Sequence, residues 1–151
     1  MYFDKKLCLL GIEAVDRDDL FEQMSSLLLQ EGFVNDTYLG ALKAREAEYP
    51  TGLLVGDTGF AIPHCDSVNV RESQLCFGQL GHPIEFSDMV DKDHKIQVSL
   101  VFMLAMSQPH EQMETLGNLV ALFQNQEIVD KLKACTDEYE CARILEDAGI
   151  R

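Results

Sequence analysis

A run of six apolar residues, Leu100 to Ala105, constrains the fold of this chain more than any other feature. Polar and apolar residues alternate before it, from Lys95 to Ser99, so the segment from Lys95 to Met106 is predicted to form one strand. Alternation is typical of a strand with one exposed face, whereas a continuous apolar run is typical of a strand covered on both faces. The sequence therefore predicts a layered domain with this strand inside a sheet.

Helical and strand-like patterns lie on both sides of this segment. The first helix is expected to follow an aspartate cap, Asp18 or Asp19, and to end just before Gly32. The second, capped by Asn35, is expected over residues 36–48. The other predicted elements are the strands Leu7–Ile12, Leu53–Val55, Gly59–Ile62 and Ser73–Leu80, a turn at Gly81–Pro83, and the helices Pro109–Gln124, Glu127–Lys133 and Thr136–Ala148. This order predicts one α/β domain over residues 1–151, with a mixed sheet flanked by helices on both faces.

Composition narrows the class of protein. The chain has 151 residues, 46% of them apolar, and no apolar run approaches the roughly 20 residues of a membrane helix. Its first residues lack the pattern of a secretory signal, so a cytoplasmic location without direct membrane insertion is expected. A formal net charge of -14 argues against binding to the phosphate backbone of nucleic acid.

The five cysteines, Cys8, Cys65, Cys76, Cys135 and Cys141, include no CxxC pair. Without paired spacing they suggest neither a zinc site nor a disulfide framework, and most are expected to be reduced and buried. No metal and no cofactor is therefore predicted for this chain.

A proline followed by a histidine stands where one of the short strands must stop. Pro63 follows the apolar stretch from Gly59 to Ile62, and proline cannot donate the next hydrogen bond of a sheet. His64 is therefore expected to lie at a strand end, where many α/β folds have their catalytic residues. Its imidazole changes charge near neutral pH, which suits it to catalysis. The alternative is a loop histidine with no role.

The second helix carries a charged residue on its apolar side. Its inward positions are predicted to be Tyr38, Leu42, Arg45 and Tyr49, with spacings of 4, 3 and 4 residues. An arginine in that row needs an anion. Alternatively, its aliphatic part packs while the guanidinium reaches water or pairs with a neighbouring glutamate.

The first C-terminal helix shows a similar irregularity at its start. Its buried row is predicted to be Met113, Leu116, Val120 and Phe123. His110 lies three residues before Met113, so it is expected to point inward from a turn whose free N–H groups favour an anion. The alternative is a histidine that merely bonds to a carbonyl at the edge of the core.

Together, Arg45, His64 and His110 suit phosphoryl transfer. That reaction needs an in-line nucleophile and fixed positive groups around the phosphoryl oxygens. Neutral His64 would attack phosphorus through one ring nitrogen while the other holds a hydrogen bond, and Arg45 and His110 would stabilise the transferring charge. A weaker alternative, a metal hydrolase that uses His64, His94 and acids, lacks the spacing of metal ligands.

The segments that carry these residues resemble a known family. They are Arg45–Leu53 with its Pro-Thr-Gly-Leu end, Ala61–Cys65 with its Ile-Pro-His-Cys end, and His110 ahead of Leu116 and Leu119. Over nearly the whole chain they resemble the enzyme IIA domains of the bacterial sugar phosphotransferase system, mannitol–fructose class. The resemblance implies the mannitol-type enzyme IIA fold, a mixed sheet flanked by helices. The family usually has glycine after the histidine, and the Pro-His-Cys form looks most like its galactitol-type components; the cysteine is expected to pack or to form a wall of the site.

In that family the histidine after proline takes a phosphoryl group from the phosphocarrier HPr. It passes the group to a cysteine of enzyme IIB. Enzyme IIC is an indirect partner, through enzyme IIB. The resemblance implies this role for His64, with Arg45 and His110 as supporting residues. It also implies an apolar docking surface near His64, for which Phe60 and Val68 are candidates. The alternative is a regulatory enzyme IIA of the nitrogen-related branch, which acts by phosphorylation-dependent binding to proteins.

Overall fold

The strands and helices follow the order that the sequence predicts, and the structure adds their bounds and pairing. The computed structural model describes residues 7–150. Its strands are β1 (Cys8–Ile12), β2 (Gly52–Val55), β3 (Thr58–Ala61), β4 (Gln74–Ser87) and β5 (Lys95–Ala105). Its helices are α1 (Arg17–Gln30), α2 (Tyr38–Glu48), α3 (Pro109–Phe123), α4 (Gln126–Ala134) and α5 (Glu138–Asp147), with a short 3-10 turn at Ser67–Asn69.

The strands form one mixed sheet in the order β1-β4-β5-β3-β2. The pairs β4–β5 and β2–β3 are antiparallel, whereas β1 runs parallel to β4 and β3 runs parallel to β5. β5 lies in the middle of the sheet, and every residue from Leu100 to Ala105 is buried. The continuous apolar run therefore marks the central strand, and the predicted mixed sheet is confirmed.

Helices cover both faces of the sheet, as predicted. α1 and α2 pack on one face, where Phe21 and Leu42 share a core with Met103 of β5. α3, α4 and α5 pack on the other face, where Leu132 shares a core with Phe102 of β5. Because successive residues of a strand point to opposite faces, β5 anchors both layers. None of the helices in the described part of the chain combines the length and the hydrophobicity that a membrane crossing requires.

The cap of α1 is Asp16 rather than Asp18 or Asp19. Asp16 Oδ1 accepts a hydrogen bond from the Asp19 N–H at 2.9 Å. Asp19 Oδ2 in turn accepts from the Val15 N–H at 2.9 Å. The two carboxylates thus satisfy N–H groups at the helix start reciprocally, which explains why the earlier aspartate is the cap.

Asn35 does not cap α2, which begins at Tyr38. Its side chain bonds instead to the segment that follows β3. Asn35 Nδ2 donates to Val68 O at 3.2 Å, and Oδ1 accepts from Arg71 Nε at 2.7 Å. These bonds tie the start of α2 to the segment after His64.

The predicted turn at Gly81–Pro83 lies inside β4, which continues to Ser87. The pairing of β4 with β5 changes register between Gln79 and Ile84. The three residues from Gly81 to Pro83 are exposed, as expected of extra residues that bulge from an antiparallel pair. The prediction of a strand end is wrong here, because the segment forms a bulge.

The predicted buried face of α3 is correct in part. Phe123 is buried and Leu116 is partly buried, as expected, and the other buried residues of the helix are Thr115, Leu119 and Leu122. Met113 and Val120, which were also expected to face the core, are 76% and 42% exposed. Apolar residues occupy two neighbouring faces of this helix, so periodicity alone does not tell which face the sheet covers. His110, projected from Met113, is exposed.

Candidate functional site

His64 stands just past the end of β3, as the proline before it predicts. β3 ends at Ala61, and the chain stays beside the central strand because Pro63 O accepts a hydrogen bond from the Leu104 N–H at 2.9 Å. His64 Nδ1 lies 2.7 Å from Ile62 O. A carbonyl oxygen only accepts, so Nδ1 carries the hydrogen and Nε2 keeps its lone pair. The ring is therefore held in the tautomer whose Nε2 is a nucleophile.

The surroundings of His64 favour its neutral form. Burial lowers the pKa of His64 from its ordinary value of 6.5, and the positive charge of Arg45 lowers this pKa further. The hydrogen bond to Ile62 O and the carboxylate of Asp66 act in the opposite direction and do not outweigh burial. At neutral pH the imidazole is therefore mostly uncharged, which is the nucleophilic form.

Arg45 reaches the same space from the last turn of α2. Its guanidinium lies 4.8 Å from the centroid of the Tyr49 ring, and its Nη1 lies 3.9 Å from Asp66 Oδ1. Among residues 7–150, its buried Nε has no hydrogen-bond partner. The buried row of α2 continues from Leu42 to Glu46, so the predicted inward positions of Arg45 and Tyr49 are wrong. Arg45 is partly buried beside that row, and Tyr49 is 57% exposed. A cation with an unused donor is suited to bind an anion.

Arg45 and His64 line one cavity of about 690 Å³. Most of its apolar wall comes from Tyr49, Pro50, Ile62, Met89, Val90 and Leu116. Lys92 adds a second cation. The structure thus brings together two of the three residues predicted from the sequence.

His110 is not among the residues that line this cavity. Its side chain is exposed on the first turn of α3, and Leu116 of the same helix lines the cavity instead. The expectation that His110 points inward is therefore wrong. A supporting role for it remains a prediction.

The loop between β4 and β5 supplies cavity residues that sequence reasoning missed, namely Met89, Val90 and Lys92. The Met89 N–H donates to Gly52 O at 2.8 Å, so the loop is bound to the start of β2. A Cβ at Gly52 would lie 2.5 Å from Ser87 O, and this close approach therefore requires glycine. The loop sequence has no local pattern that predicts its contact with β2. The glycine at position 52 is the feature of the sequence that this contact requires.

His94 belongs to that loop rather than to a metal site. Its Nδ1 lies 3.1 Å from Asp88 Oδ2, and Asp88 Oδ1 accepts from the Val90 N–H at 3.0 Å. Within residues 7–150, no group of three or more histidine, cysteine, aspartate or glutamate side chains is placed to hold a metal ion. The contact between His94 and Asp88 holds the loop beside the cavity. It gives no support to the alternative of a metal hydrolase.

Cys65, directly after His64, is buried. Its Sγ lies 3.9 Å from Tyr38 O of α2 and 3.7 Å from Asn69 Nδ2. Burial raises the pKa of the Cys65 thiol to about 12, so the thiol stays protonated at neutral pH. These contacts support packing over a role as a rival phosphoryl acceptor.

Only one of the two predicted docking residues is exposed. Phe60 is fully buried and stacks on Phe123 with ring centroids 3.9 Å apart, so its prediction as a docking residue is wrong. Val68 is 81% exposed. Other exposed apolar side chains lie at the cavity itself, namely Tyr49, Met89 and Val90.

Comparison with known sequences agrees with the resemblance of the motifs. A sequence model of the family described as phosphoenolpyruvate-dependent sugar phosphotransferase system, EIIA 2, matches residues 1–148. The galactitol-specific EIIA component of the phosphotransferase system of Escherichia coli (strain K12) is 34% identical to this chain over 122 residues, which are 81% of each protein.

Solved structures share the fold. One chain in the complex of enzyme IIA mannitol and phosphorylated enzyme IIB mannitol from Escherichia coli matches with a TM-score of 0.74 and 20% identity, over 94% of this chain and 95% of that chain. The nitrogen regulatory protein IIA-Ntr from Neisseria meningitidis matches with a TM-score of 0.73 and 26% identity, over 93% of each chain. The predicted mannitol-type fold is confirmed.

Proposed function

The chain belongs to the EIIA 2 family of the phosphoenolpyruvate-dependent sugar phosphotransferase system, and from that membership we propose that it is a phosphocarrier whose His64 accepts and passes on a phosphoryl group. One observation supports this most. The bond of 2.7 Å between His64 Nδ1 and Ile62 O leaves Nε2 free for attack, in a cavity that also contains Arg45. The donor is the phosphorylated carrier HPr, and the acceptor is a cysteine of enzyme IIB.

Two transfers make up the proposed relay. In the first, the Nε2 lone pair attacks the phosphorus of phosphohistidine on HPr; a new N–P bond forms, the donor bond breaks, and the donor nitrogen takes its electron pair. In the second, a thiolate of enzyme IIB attacks the same phosphorus, and the electron pair of the breaking bond returns to Nε2. The Nδ1 hydrogen stays on the ring throughout, so His64 needs no separate base.

Arg45 and Lys92 are proposed to hold the phosphoryl oxygens. Both line the cavity with His64, and Arg45 Nε is a buried donor with no partner in the described part of the chain. Positive groups around the equatorial oxygens stabilise the transition state of phosphoryl transfer. His110 is proposed to assist, with a smaller effect because it does not line the cavity.

The exposed apolar residues beside the cavity are the proposed docking surface for HPr and enzyme IIB. Met89 and Val90 are 45% and 86% exposed there, and Val68 follows His64 closely in sequence. The net charge of -14 complements basic groups on a partner and speeds encounter. The complex of enzyme IIA mannitol with phosphorylated enzyme IIB supports an enzyme IIB partner for this chain. Enzyme IIC is proposed as an indirect partner, through enzyme IIB.

The uptake system is proposed to serve galactitol or a related sugar alcohol. The identity of 34% with a galactitol-specific EIIA component supports this, as does the Pro-His-Cys form at Cys65. The alternative is a regulator in which phosphorylation of His64 only switches binding to other proteins. The likeness to IIA-Ntr, at 26% identity, is the observation in its favour.

Incubation of the purified protein with phosphorylated HPr tests the proposal. We expect an acid-labile phosphoryl group on the protein, its loss in His64→Ala, and its retention in His82→Ala, which changes an exposed histidine outside the cavity. Acceptance by His64→Ala at the normal rate would refute the proposal. Candidate IIB proteins then separate the alternatives, since a relay loses its phosphoryl group to a IIB cysteine and a regulator keeps it.

A further inference from the structure

A chain of hydrogen bonds runs from a buried carboxylate to the backbone that holds His64. Glu46 is 2% exposed; its Oε2 accepts from the Thr51 N–H at 2.6 Å, and its Oε1 accepts from the Thr51 hydroxyl at 2.8 Å. The same hydroxyl accepts from the Ile62 N–H at 3.2 Å. Ile62 O then accepts from His64 Nδ1 at 2.7 Å. The imidazole is thus connected to α2 through two intervening residues.

Each link of this chain has a direction. The Thr51 hydroxyl donates its single hydrogen to Glu46, so its oxygen is left to accept from the Ile62 N–H. Ile62 lies one residue past the end of β3. The Ile62 N–H and the Ile62 carbonyl lie in adjacent peptide planes, so the bond to Thr51 restrains the plane before the carbonyl. The Leu104 N–H, which donates to Pro63 O at 2.9 Å, restrains the chain after it, and together these bonds limit the directions from which the carbonyl meets His64.

The carboxylate suits this position better than a neutral side chain. Burial raises the pKa of Glu46, and the two hydrogen bonds from Thr51 oppose that shift. Both hydrogens of Thr51 point at Glu46, so both of its oxygens must accept. A glutamine would present one acceptor and one N–H group, and one Thr51 donor would then face another donor.

We propose that Glu46 and Thr51 are positioning residues for phosphoryl transfer. They hold the Ile62 carbonyl so that His64 keeps its hydrogen on Nδ1 and presents Nε2 to the phosphoryl group. This role rests on the proposed function of His64 as the phosphoryl acceptor. Consecutive residues of α2 then have separate tasks, because Arg45 lines the cavity and Glu46 supports the backbone behind it.

Three variants test the role of the Thr51 hydroxyl. Thr51→Val removes the hydroxyl at nearly constant size, and Thr51→Ser keeps it. Thr115→Val is the matched control, since Thr115 is 4% exposed and its hydroxyl bonds to Met106 Sδ at 3.9 Å, away from the chain that ends at His64.

The 15N chemical shifts of the His64 ring report which nitrogen carries the hydrogen. They are measured without a phosphoryl donor, at a pH above the pKa of His64, and the signals are assigned by their loss in His64→Ala. We expect hydrogen on Nδ1 in the wild type, in Thr51→Ser and in Thr115→Val. We expect a mixture of both tautomers in Thr51→Val.

The rate of phosphoryl acceptance from HPr is the second measurement. Thr51→Val is expected to be about tenfold slower, the effect of roughly one hydrogen bond on a barrier, while Thr51→Ser and Thr115→Val stay within about twofold of the wild type. Thermal unfolding of Thr51→Val and Thr115→Val, which each lose one buried hydroxyl, separates lost stability from lost positioning. Glu46→Gln is expected to give the same results as Thr51→Val, a mixture of ring tautomers and slower phosphoryl acceptance. It replaces Thr51→Val in the test if that variant does not fold.

The outcomes distinguish this role from the function on which it rests. An unchanged ring tautomer in Thr51→Val and Glu46→Gln overturns the positioning role, whatever their rates. If the wild type accepts no phosphoryl group, the proposed function fails instead. The ring spectra then still decide whether Glu46 and Thr51 hold the tautomer.

Discussion

Two histidines of this chain stand beside a proline, one just past a strand and one within a strand, and only His64 lines the cavity that contains Arg45. Pro63 precedes His64 at the end of β3, and Pro63 O is held by the Leu104 N–H at 2.9 Å. His82 precedes Pro83 in the exposed bulge of β4, where the strand continues. The comparison teaches that a proline that ends a strand leaves its histidine at the edge of a cavity, whereas a proline within a strand leaves its histidine in a surface bulge.

The partners of the two rings differ more than the charges around them. His64 is half-buried and lines a cavity with Arg45, and its Nδ1 is bonded to a backbone carbonyl. The carboxylate of Asp66 also acts on this ring. His82 is 53% exposed, and its Nδ1 lies 3.0 Å from Glu13 Oε2, beside a cavity that Arg17 and Lys95 also line. Both rings thus have cations and anions near them, and the backbone bond and the burial of His64 separate the two sites.

The strongest test of this comparison is whether phosphoryl transfer to His64 requires Arg45. We expect Arg45→Ala to slow acceptance of the phosphoryl group from HPr about 100-fold, as removal of one transition-state donor commonly does, with less effect on HPr binding. Arg143→Ala, which removes an exposed arginine of α5, is the control and should not change the rate. Rapid-quench kinetics measure both variants. An unchanged rate in Arg45→Ala would exclude Arg45 from the site.

The pH dependence of acceptance tests whether the burial of His64 matters. Burial lowers the pKa of His64, so the midpoint of its protonation lies below its ordinary value of 6.5. Protonation removes the attacking lone pair. The rate constant is therefore expected to decrease at acidic pH with a midpoint below 6.5. The same rapid-quench assay, with hydrolysis of phospho-HPr measured in parallel, checks this; a midpoint at or above pH 6.5 contradicts it.

The variant His110→Ala tests whether an exposed residue of α3 contributes to the rate of phosphoryl acceptance. Because it does not line the cavity, His110→Ala is expected to slow acceptance by about threefold at most, which is less than ~1 kcal/mol of barrier. Asn118→Ala, at an exposed position of the same helix, is the control. A loss near 100-fold would place His110 beside Arg45 in importance and would require its side chain to turn into the cavity during transfer.

The smallest effect is expected at His82. Its pair with Glu13 lies on the surface, with side chains 53% and 74% exposed. Exposed pairs of this kind contribute ~0–1 kcal/mol, so His82→Ala should lower the free energy of unfolding by less than about 1 kcal/mol. Urea unfolding of wild type and variant measures this difference. A much larger loss would show that the bulge of β4 depends on the pair.

Two features that depend on one element alone were predicted correctly from the sequence. The apolar run from Leu100 to Ala105 identified the central strand, and Pro63 identified the end of β3. In both cases the pattern reports how a residue relates to its own strand, which is a local property. Arg45 was expected on the inward row of α2; Glu46 holds that buried position, and Arg45 lines the cavity beside it.

Apart from the cap of α1, where neighbouring aspartates compete within one helix start, the wrong predictions depend on what packs against the element. Met113 and Val120 form an apolar face of α3 that the sheet does not cover. The residues around His82 bulge within β4 because the pairing with β5 resumes beyond them. Lys92 reaches the cavity because its loop is bound to Gly52, which is far away in the sequence.

The sequence by itself determined the layered fold, the strand end that presents His64, and the presence of Arg45 on α2. Only the tertiary structure decided which ring nitrogen of His64 is free, and that Lys92 rather than His110 lines the cavity. The tautomer depends on Ile62 O, and the hydrogen bonds behind it reach back to Glu46. Periodicity records the burial of a residue within its own element, whereas these partners meet only when distant segments pack together.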